Sequence, residues 1–312
     1  MRKLAYVFPG QGSQSLGMLE GNSPEVIRTY EEASDAIGYD VWELVNRGPE
    51  KKLNQTEYTQ PALLTVSVAL FRFAMKNGAP RPDVVLGHSL GEYAALVASG
   101  VIRFDEAVRL VQKRGQHMQE AVPEGEGGMA AIMGLAEEEL EQVCVSVSNL
   151  SRSGLVEPAN YNAPGQVVVA GDLETLNSLI EKCKGLGARR AIVLKVSAPF
   201  HCSLMEPAAE KMKLHLEKVD LLPPEIPLIQ NVSARYEREP EVLRTNLVEQ
   251  IRKPVKWTDS VRLLEEEGVL DFVECGPGKV LSGLVKRTNR AATCVSFGSE
   301  LELANLTVFG DS

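Results

Sequence analysis

The spacing of apolar residues changes several times along the chain, and each change marks an element. Residues 4–8, Leu-Ala-Tyr-Val-Phe, are an unbroken apolar run of strand length that stops at Pro9 and Gly10. Residues 24–37 and 61–77 repeat their apolar side chains every three or four positions, which predicts two helices, and the second closes at Asn77-Gly78. A short apolar run, Asp83-Val84-Val85-Leu86, leads into Gly87-His88-Ser89-Leu90-Gly91 and then into the helix-forming stretch 92–98. Residues 103–121 predict a long amphipathic helix, with Val108, Leu110, Val111 and Met118 among its apolar positions and Arg114 inside it.

Beyond the glycine-rich residues 123–128 the rhythm is different. Strands are predicted at 129–135, 155–161, 166–170 and 189–196, with helices at 137–147 and 173–186. That β-α-β-β-α-β order is ferredoxin-like. After it the first rhythm resumes, with a helix after His201, a strand at 227–231, helices at 239–251 and 258–267, a strand at 269–274, a helix at 279–287 and a strand at 293–297. Strands separated by helices imply a parallel sheet. The expected fold is α/β: a large α/β-hydrolase-like domain with a parallel sheet, formed by residues 1–124 and 197–312, plus an inserted small ferredoxin-like α+β domain at 125–196. The loops after the parallel strands hold Gln11, Ser89 and Cys275-Gly276-Pro277-Gly278, as expected if the site lies beyond the carboxyl ends of the strands.

Composition narrows the function classes. The 312 residues are 44% apolar and 24% charged, ordinary for a globular protein. A net charge of −9 argues against a general nucleic-acid or anionic-membrane binder, so any anionic partner must meet a local basic patch. The five cysteines are scattered, odd in number and form no C-x-x-C pair, which suggests a reducing compartment and no metal framework. Pro9 and Gly10 cut the first apolar run before a signal-peptide core forms, and no stretch approaches the roughly 20 apolar residues of a membrane span. A cytoplasmic protein without a membrane or nucleic-acid partner is expected.

The chemistry centres on Ser89. A serine in a G-x-S-x-G turn between strand and helix is held in a strained elbow that pushes its hydroxyl above the sheet edge. The backbone N–H of Leu90 opens into the same space, where a developing oxyanion can be bound. Of four histidines, His88 lies inside the elbow with its ring expected to point away from Ser89, and His117 and His215 sit on helical stretches as surface residues. His201 is the candidate base, in the loop Ser197-Ala198-Pro199-Phe200-His201. No Asp or Glu stands in an obvious loop to orient it, which leaves a backbone carbonyl as a candidate. The glycine-rich residues 9–14 lack both a P-loop ending and dinucleotide spacing, and read as a source of backbone donors.

Several separated motifs occur in order: Pro9-Gly10-Gln11-Gly12-Ser13-Gln14, Gln60-Pro61, Gly87 to Tyr93, Lys113-Arg114-Gly115 through Met118, Asn160 to Gln166, Ala198-Pro199-Phe200-His201 and Glu274 to Gly278. Together they resemble the malonyl-CoA:acyl carrier protein transacylase family, the malonyl-loading acyltransferases of bacterial fatty-acid synthesis, over nearly the whole chain. The resemblance implies a ping-pong transfer from malonyl-CoA, through an ester on Ser89, to the phosphopantetheine thiol of holo acyl carrier protein, with no further cofactor. It implies an oxyanion hole from the N–H groups of Gln11 and Leu90, the main-chain carbonyl of Gln250 as partner of His201, and Arg114 as the site of the malonyl carboxylate, which a planar guanidinium can bind through two parallel hydrogen bonds. Phe200 resembles the bulky residue of malonyl-selective members.

Gln60, Asn160, Asn162 and Gln166 are read as loop amides that cap backbone groups. Lys286, Arg287, Arg290, Arg189 and Arg190 are candidate contacts for an acidic carrier protein, and a monomer is expected. The Cys and His spacings fit no tetrahedral metal site. Three other readings stand beside the transferase: a serine acyl-thioester hydrolase with water as acceptor, a non-catalytic carrier-binding module, and a free-standing acyltransferase of a polyketide synthase.

Overall fold

The computed structural model describes residues 2–151 and 154–309. Strand β1 (Leu4–Phe8) is followed by α1 (Pro24–Ile37), α2 (Val41–Arg47), α3 (Glu50–Leu53) and α4 (Thr56–Lys76), then by β2 (Val84–Gly87), α5 (Gly91–Ala98) and α6 (Phe104–Glu120). The middle of the chain forms β3 (Gly127–Met133), α7 (Glu137–Leu150), β4 (Val156–Ala163), β5 (Gln166–Asp172), α8 (Leu173–Gly185) and β6 (Arg190–Val193). A 3₁₀ turn at Ser203–Met205 leads into α9 (Glu206–Leu216), β7 (Leu228–Gln230), β8 (Arg235–Tyr236), α10 (Pro240–Arg252), α11 (Trp257–Glu266), β9 (Asp271–Cys275), α12 (Val280–Thr288), β10 (Thr293–Phe297) and a closing 3₁₀ segment, Glu300–Phe309.

The larger sheet has the order β10-β9-β1-β2-β7-β8 and is parallel except for β8, which pairs antiparallel with β7. All five residues of β1 are buried, because helices cover both faces of the sheet; this is why the strand reads as an unbroken apolar run. β1 and β2 pair with Phe8 opposite Gly87, so the loops that follow them leave the sheet side by side. The His88 N–H extends the ladder to the Phe8 carbonyl at 3.0 Å.

The second sheet, β4-β5-β3-β6, is antiparallel throughout, the ferredoxin-like arrangement expected of the element order. Its apolar side chains divide by parity. Ala130, Ile132, Val167 and Val169 pack with Leu140, Val143, Leu176 and Leu179 of the two helices, whereas Met129, Ala131, Val168 and Ala170 join the core of the larger sheet. The second apolar face therefore seats this unit beside the first. β4 adds a backbone link, with the Tyr161 N–H donating to the Val255 carbonyl at 2.9 Å.

Three expectations change, and two short helices are added. The helix expected from residue 61 begins at Thr56 and carries Pro61 inside it, with Thr59 Oγ1 in its first turn 2.6 Å from the Leu53 carbonyl oxygen, to which it donates. Residues 41–53 form two helices too short to leave a periodic signal, the first capped by the Asp40 carboxylate on the Glu43 N–H at 2.8 Å. Strand β6 ends at Val193, the Leu194 N–H makes a last bond to the Met129 carbonyl at 2.9 Å, and residues 194–196 line the cleft described below. The loop Cys275 to Gly278 does not line that cleft; a Cβ on Gly276 would lie 2.6 Å from the Pro9 ring, so this loop buttresses the one after β1, while the Glu274 carboxylate caps α12 through the N–H groups of Leu281 at 2.9 Å and Ser282 at 2.7 Å. Among the described residues no helix is long and apolar enough to cross a membrane.

Candidate active site

Ser89 has a φ of 53°, in the left-handed region that serine seldom adopts. The turn is possible because its flanking residues lack side chains. A Cβ on Gly87 would lie 2.0 Å from the Gly91 carbonyl carbon, and one on Gly91 would lie 2.0 Å from the Phe8 carbonyl oxygen. The Ser89 N–H donates to Asn231 Oδ1 at 2.7 Å, and the Ser89 carbonyl accepts from Gln250 Nε2 at 2.9 Å. Held on both sides, the residue faces a cavity of about 600 Å³ whose lining includes Gln11, His88, Asn160, Phe200 and His201.

His201 Nε2 lies 2.7 Å from Ser89 Oγ, and its Nδ1 lies 2.6 Å from the Gln250 carbonyl oxygen. That carbonyl is available for a reason visible in the chain. Gln250 is in the last turn of α10, and the residue four positions on, which would supply the helical N–H, is Pro254. His201 itself has a φ of 62°, and the turn after it is tied to β4 by Ser203, whose N–H and Oγ donate to the Glu157 carboxylate at 2.7 and 2.9 Å. Burial, reinforced by the Arg114 charge, pulls the His201 pKa from 6.5 down to about 3. The ring is therefore neutral, with Nδ1–H toward Gln250 and the Nε2 lone pair toward Ser89 Oγ.

Arg114 is 1% exposed. Its helix, α6, approaches the start of α4 closely because residue 115 is glycine; a Cβ there would lie 2.7 Å from the Thr56 carbonyl oxygen. The guanidinium donates from NH1 to Gln60 Oε1 at 2.9 Å, and from NH2 to Gln250 Oε1 at 2.8 Å and Ser89 Oγ at 3.2 Å. Its Nε is buried and has no hydrogen-bond partner among the described residues, and the Tyr93 ring lies 5.7 Å away. Arg114 does not line the cavity but stands behind Ser89. Glu92, fully buried, accepts from the Asn231 N–H at 2.8 Å, Gln250 Nε2 at 3.1 Å and Gln230 Nε2 at 3.0 Å, and burial raises its pKa from 4.5 to about 7.

The acyl transferase domain model matches residues 5–306. The chain belongs to that family. A malonyl CoA-acyl carrier protein transacylase of Salmonella typhimurium is 49% identical over 290 residues, covering 92% of this chain and 93% of the relative. A solved structure of the malonyl CoA-acyl carrier protein transacylase from Coxiella burnetii matches with a TM-score of 0.95 at 44% identity, over 97% of this chain and 96% of that one. A malonyl-transacylase solved in complex with its type II PKS acyl-carrier protein matches with a TM-score of 0.95 at 45% identity, over 99% of this chain and 100% of that one.

The acyltransferase brings the remaining sequence candidates together unevenly. Gln11 lines the cavity, and among the described residues the backbone N–H groups of Gln11 and Leu90 donate to no protein acceptor. Phe200, 7% exposed, lines the cavity beside His201. His88 meets Asn162 Oδ1 at 2.7 Å while its ring packs near Trp257. His117 and His215 are not isolated surface residues: α6 and α9 set their Nε2 atoms 3.2 Å apart. Gln60 is not a loop amide, since it is buried on α4 and binds Arg114. Gln166 accepts a hydrogen bond from Arg287, and Lys286, Arg287, Arg290, Arg189 and Arg190 are exposed. Sequence reasoning missed Asn231, Glu92 and the cavity residues Lys195 and Ser197. Asn231 alone left a signal, since it directly follows β7 at the carboxyl edge of the sheet. Among the described residues no group of three His, Cys, Asp or Glu is placed to hold a metal ion.

Proposed function

We propose that this acyltransferase moves a malonyl group from malonyl-CoA to the phosphopantetheine thiol of a holo acyl carrier protein, supplying malonyl-carrier for fatty-acid synthesis. Ser89 is the nucleophile and His201 the base. In the first half-reaction His201 Nε2 takes the Oγ proton as the Oγ–C bond forms at the thioester carbonyl. The N–H groups of Gln11 and Leu90 bind the oxyanion, the C–S bond breaks, and the imidazolium returns its proton to the CoA thiolate. The carrier thiol then attacks the Ser89 ester with the same base, and Ser89 regains its proton. Gln250 holds His201 through its carbonyl throughout.

The observation that carries the malonyl assignment is a fully buried guanidinium touching the Ser89 oxygen, with Nε left without a partner among the described residues. A buried cation disfavours an apolar acyl chain and favours one ending in a carboxylate. Phe200 would crowd a branched acyl group. Lys286, Arg287, Arg290, Arg189 and Arg190 supply positive charge for an acidic carrier. Chemistry at the site is the same for a carrier of fatty-acid or polyketide synthesis, and the relative in complex with a type II PKS acyl-carrier protein keeps the polyketide reading beside the first. In this reading 125–196 is an insertion between the halves of the catalytic domain, 1–124 and 197–312, in a monomeric cytoplasmic enzyme.

The test is intact mass after brief mixing with malonyl-CoA, with peptide mapping. A malonyl adduct on the Ser89 peptide, discharged by holo acyl carrier protein, is expected. Steady release of malonate without transfer would replace the transferase by a hydrolase.

A further inference from the structure

Glu92 follows the elbow directly, yet it lies outside the cavity and touches no reacting atom. Its hydrogen-bond donors among the described residues, the Asn231 N–H and the side-chain amides of Gln250 and Gln230, are all neutral. A carboxylate buried among neutral donors alone is unfavourable unless a cation balances it nearby. Arg114 is that cation, and the Gln250 amide lies between the two. Its Oε1 accepts from Arg114 NH2 at 2.8 Å, while its Nε2 donates to Glu92 Oε2 at 3.1 Å and to the Ser89 carbonyl at 2.9 Å. An amide bridging a cation and an anion has one favourable orientation. Turned over, it would set NH₂ against guanidinium and C=O against carboxylate. The donor-only guanidinium at one end and the accepting Glu92 oxygen at the other therefore fix the amide, and the amide, with Gln60 on the other nitrogen, fixes the guanidinium beside Ser89 Oγ.

The geometry points to Glu92 as a positioning residue for acyl-group selection: acting through the Gln250 side chain, it holds the Arg114 guanidinium where a carboxylate carried on Ser89 meets it. This rests on the carboxylate-binding role proposed for Arg114.

The test times acylation of Ser89 by malonyl-CoA and by acetyl-CoA, read by quenched mixing and intact mass, in the full chain and in Arg114→Ala, Glu92→Gln and the double variant. Glu92→Gln is expected to lower the malonyl-to-acetyl rate ratio about tenfold, within the range of coupling between residues that share a network. In the Arg114→Ala background it is expected to change the ratio no further, because no guanidinium is left to position. A purely structural role would slow both acyl groups in parallel in either background, and that outcome overturns the proposal. If Arg114→Ala keeps the wild-type ratio, the carboxylate-binding role itself fails; if Arg114→Ala lowers it and Glu92→Gln does not, the failure is that of Glu92 alone. Should Glu92→Gln fail to fold, Gln250→Met cuts the same relay and keeps the main-chain carbonyl that His201 uses, and the same ratio decides.

Discussion

Replacing Arg114 by lysine separates charge from geometry. The guanidinium spans three acceptors at once, Gln60 Oε1 at 2.9 Å, Gln250 Oε1 at 2.8 Å and Ser89 Oγ at 3.2 Å, from two nitrogens set in one plane. An ammonium keeps the positive charge opposite Glu92 but offers a single point, and it cannot present two parallel donors to a carboxylate. Losing one charge-assisted hydrogen bond to the substrate costs about 1.5–3 kcal/mol. At about 1.4 kcal/mol per tenfold, that is roughly 10- to 150-fold in the rate of malonyl loading. Acetyl loading, which has no carboxylate to lose, should change little. Stability should fall less in Arg114→Lys than in Arg114→Ala, where the buried amide oxygens of Gln60 and Gln250 lose their donor at about 1–3 kcal/mol each. Acylation rates with both CoA esters, together with urea midpoints, give the order wild type, lysine, alanine for malonyl loading and for stability. Malonyl loading by Arg114→Lys at the wild-type rate would refute the reasoning, because charge alone would then select the substrate.

The low pKa of His201 has a kinetic consequence. A base at its ordinary 6.5 would lose about elevenfold in rate between its plateau and pH 5.5; with the pKa lowered to about 3, the neutral form persists far below 6.5. Acylation by acetyl-CoA at pH 5.5 should then lie within about twofold of its value at pH 7.5, and a midpoint near 6.5 in the acid limb would show that His201 is not held this way. The elbow can be probed at Gly91. Its missing Cβ would stand 2.0 Å from the Phe8 carbonyl oxygen, a main-chain atom that cannot rotate away. Gly91→Ala should cost about 3 kcal/mol in a denaturant titration and displace the Leu90 N–H enough to slow acylation about 100-fold. A stable, active Gly91→Ala protein would contradict this account of the turn.

Much of the site could be read from the chain because it is local. The run 83–86, the glycines at 87 and 91 and the helix formers after them specify strand, turn and helix within sixteen residues, and the position of Ser89 follows. Residues 129–132 and 167–170 read as strands because they are unbroken apolar runs, whereas the packing of alternate residues on two different cores is visible only in the fold. The free carbonyl of Gln250 has a local cause, a helix end with Pro254 four residues on, but only the family resemblance pointed to Gln250. The helices at 41–53 escaped because they are shorter than any window in which a period can be recognised. Gln60 reads as a loop amide because the apolar period starts at residue 61, whereas the helix itself begins at Thr56.

By itself, then, the sequence determined which backbone elements form, where the chain must turn sharply and which side chains have the chemistry for acyl transfer. The tertiary structure decided which buried polar groups satisfy one another. Arg114 finds acceptors 54 and 136 residues away in the chain, and the Ser89 N–H finds one 142 residues away. Glu92 looks like an ordinary helix-start carboxylate until burial removes water and leaves Gln250 between it and the guanidinium. Periodicity records the local geometry of a backbone, whereas hydrogen bonding among buried charges depends on packing that joins distant segments, and only the folded chain contains it.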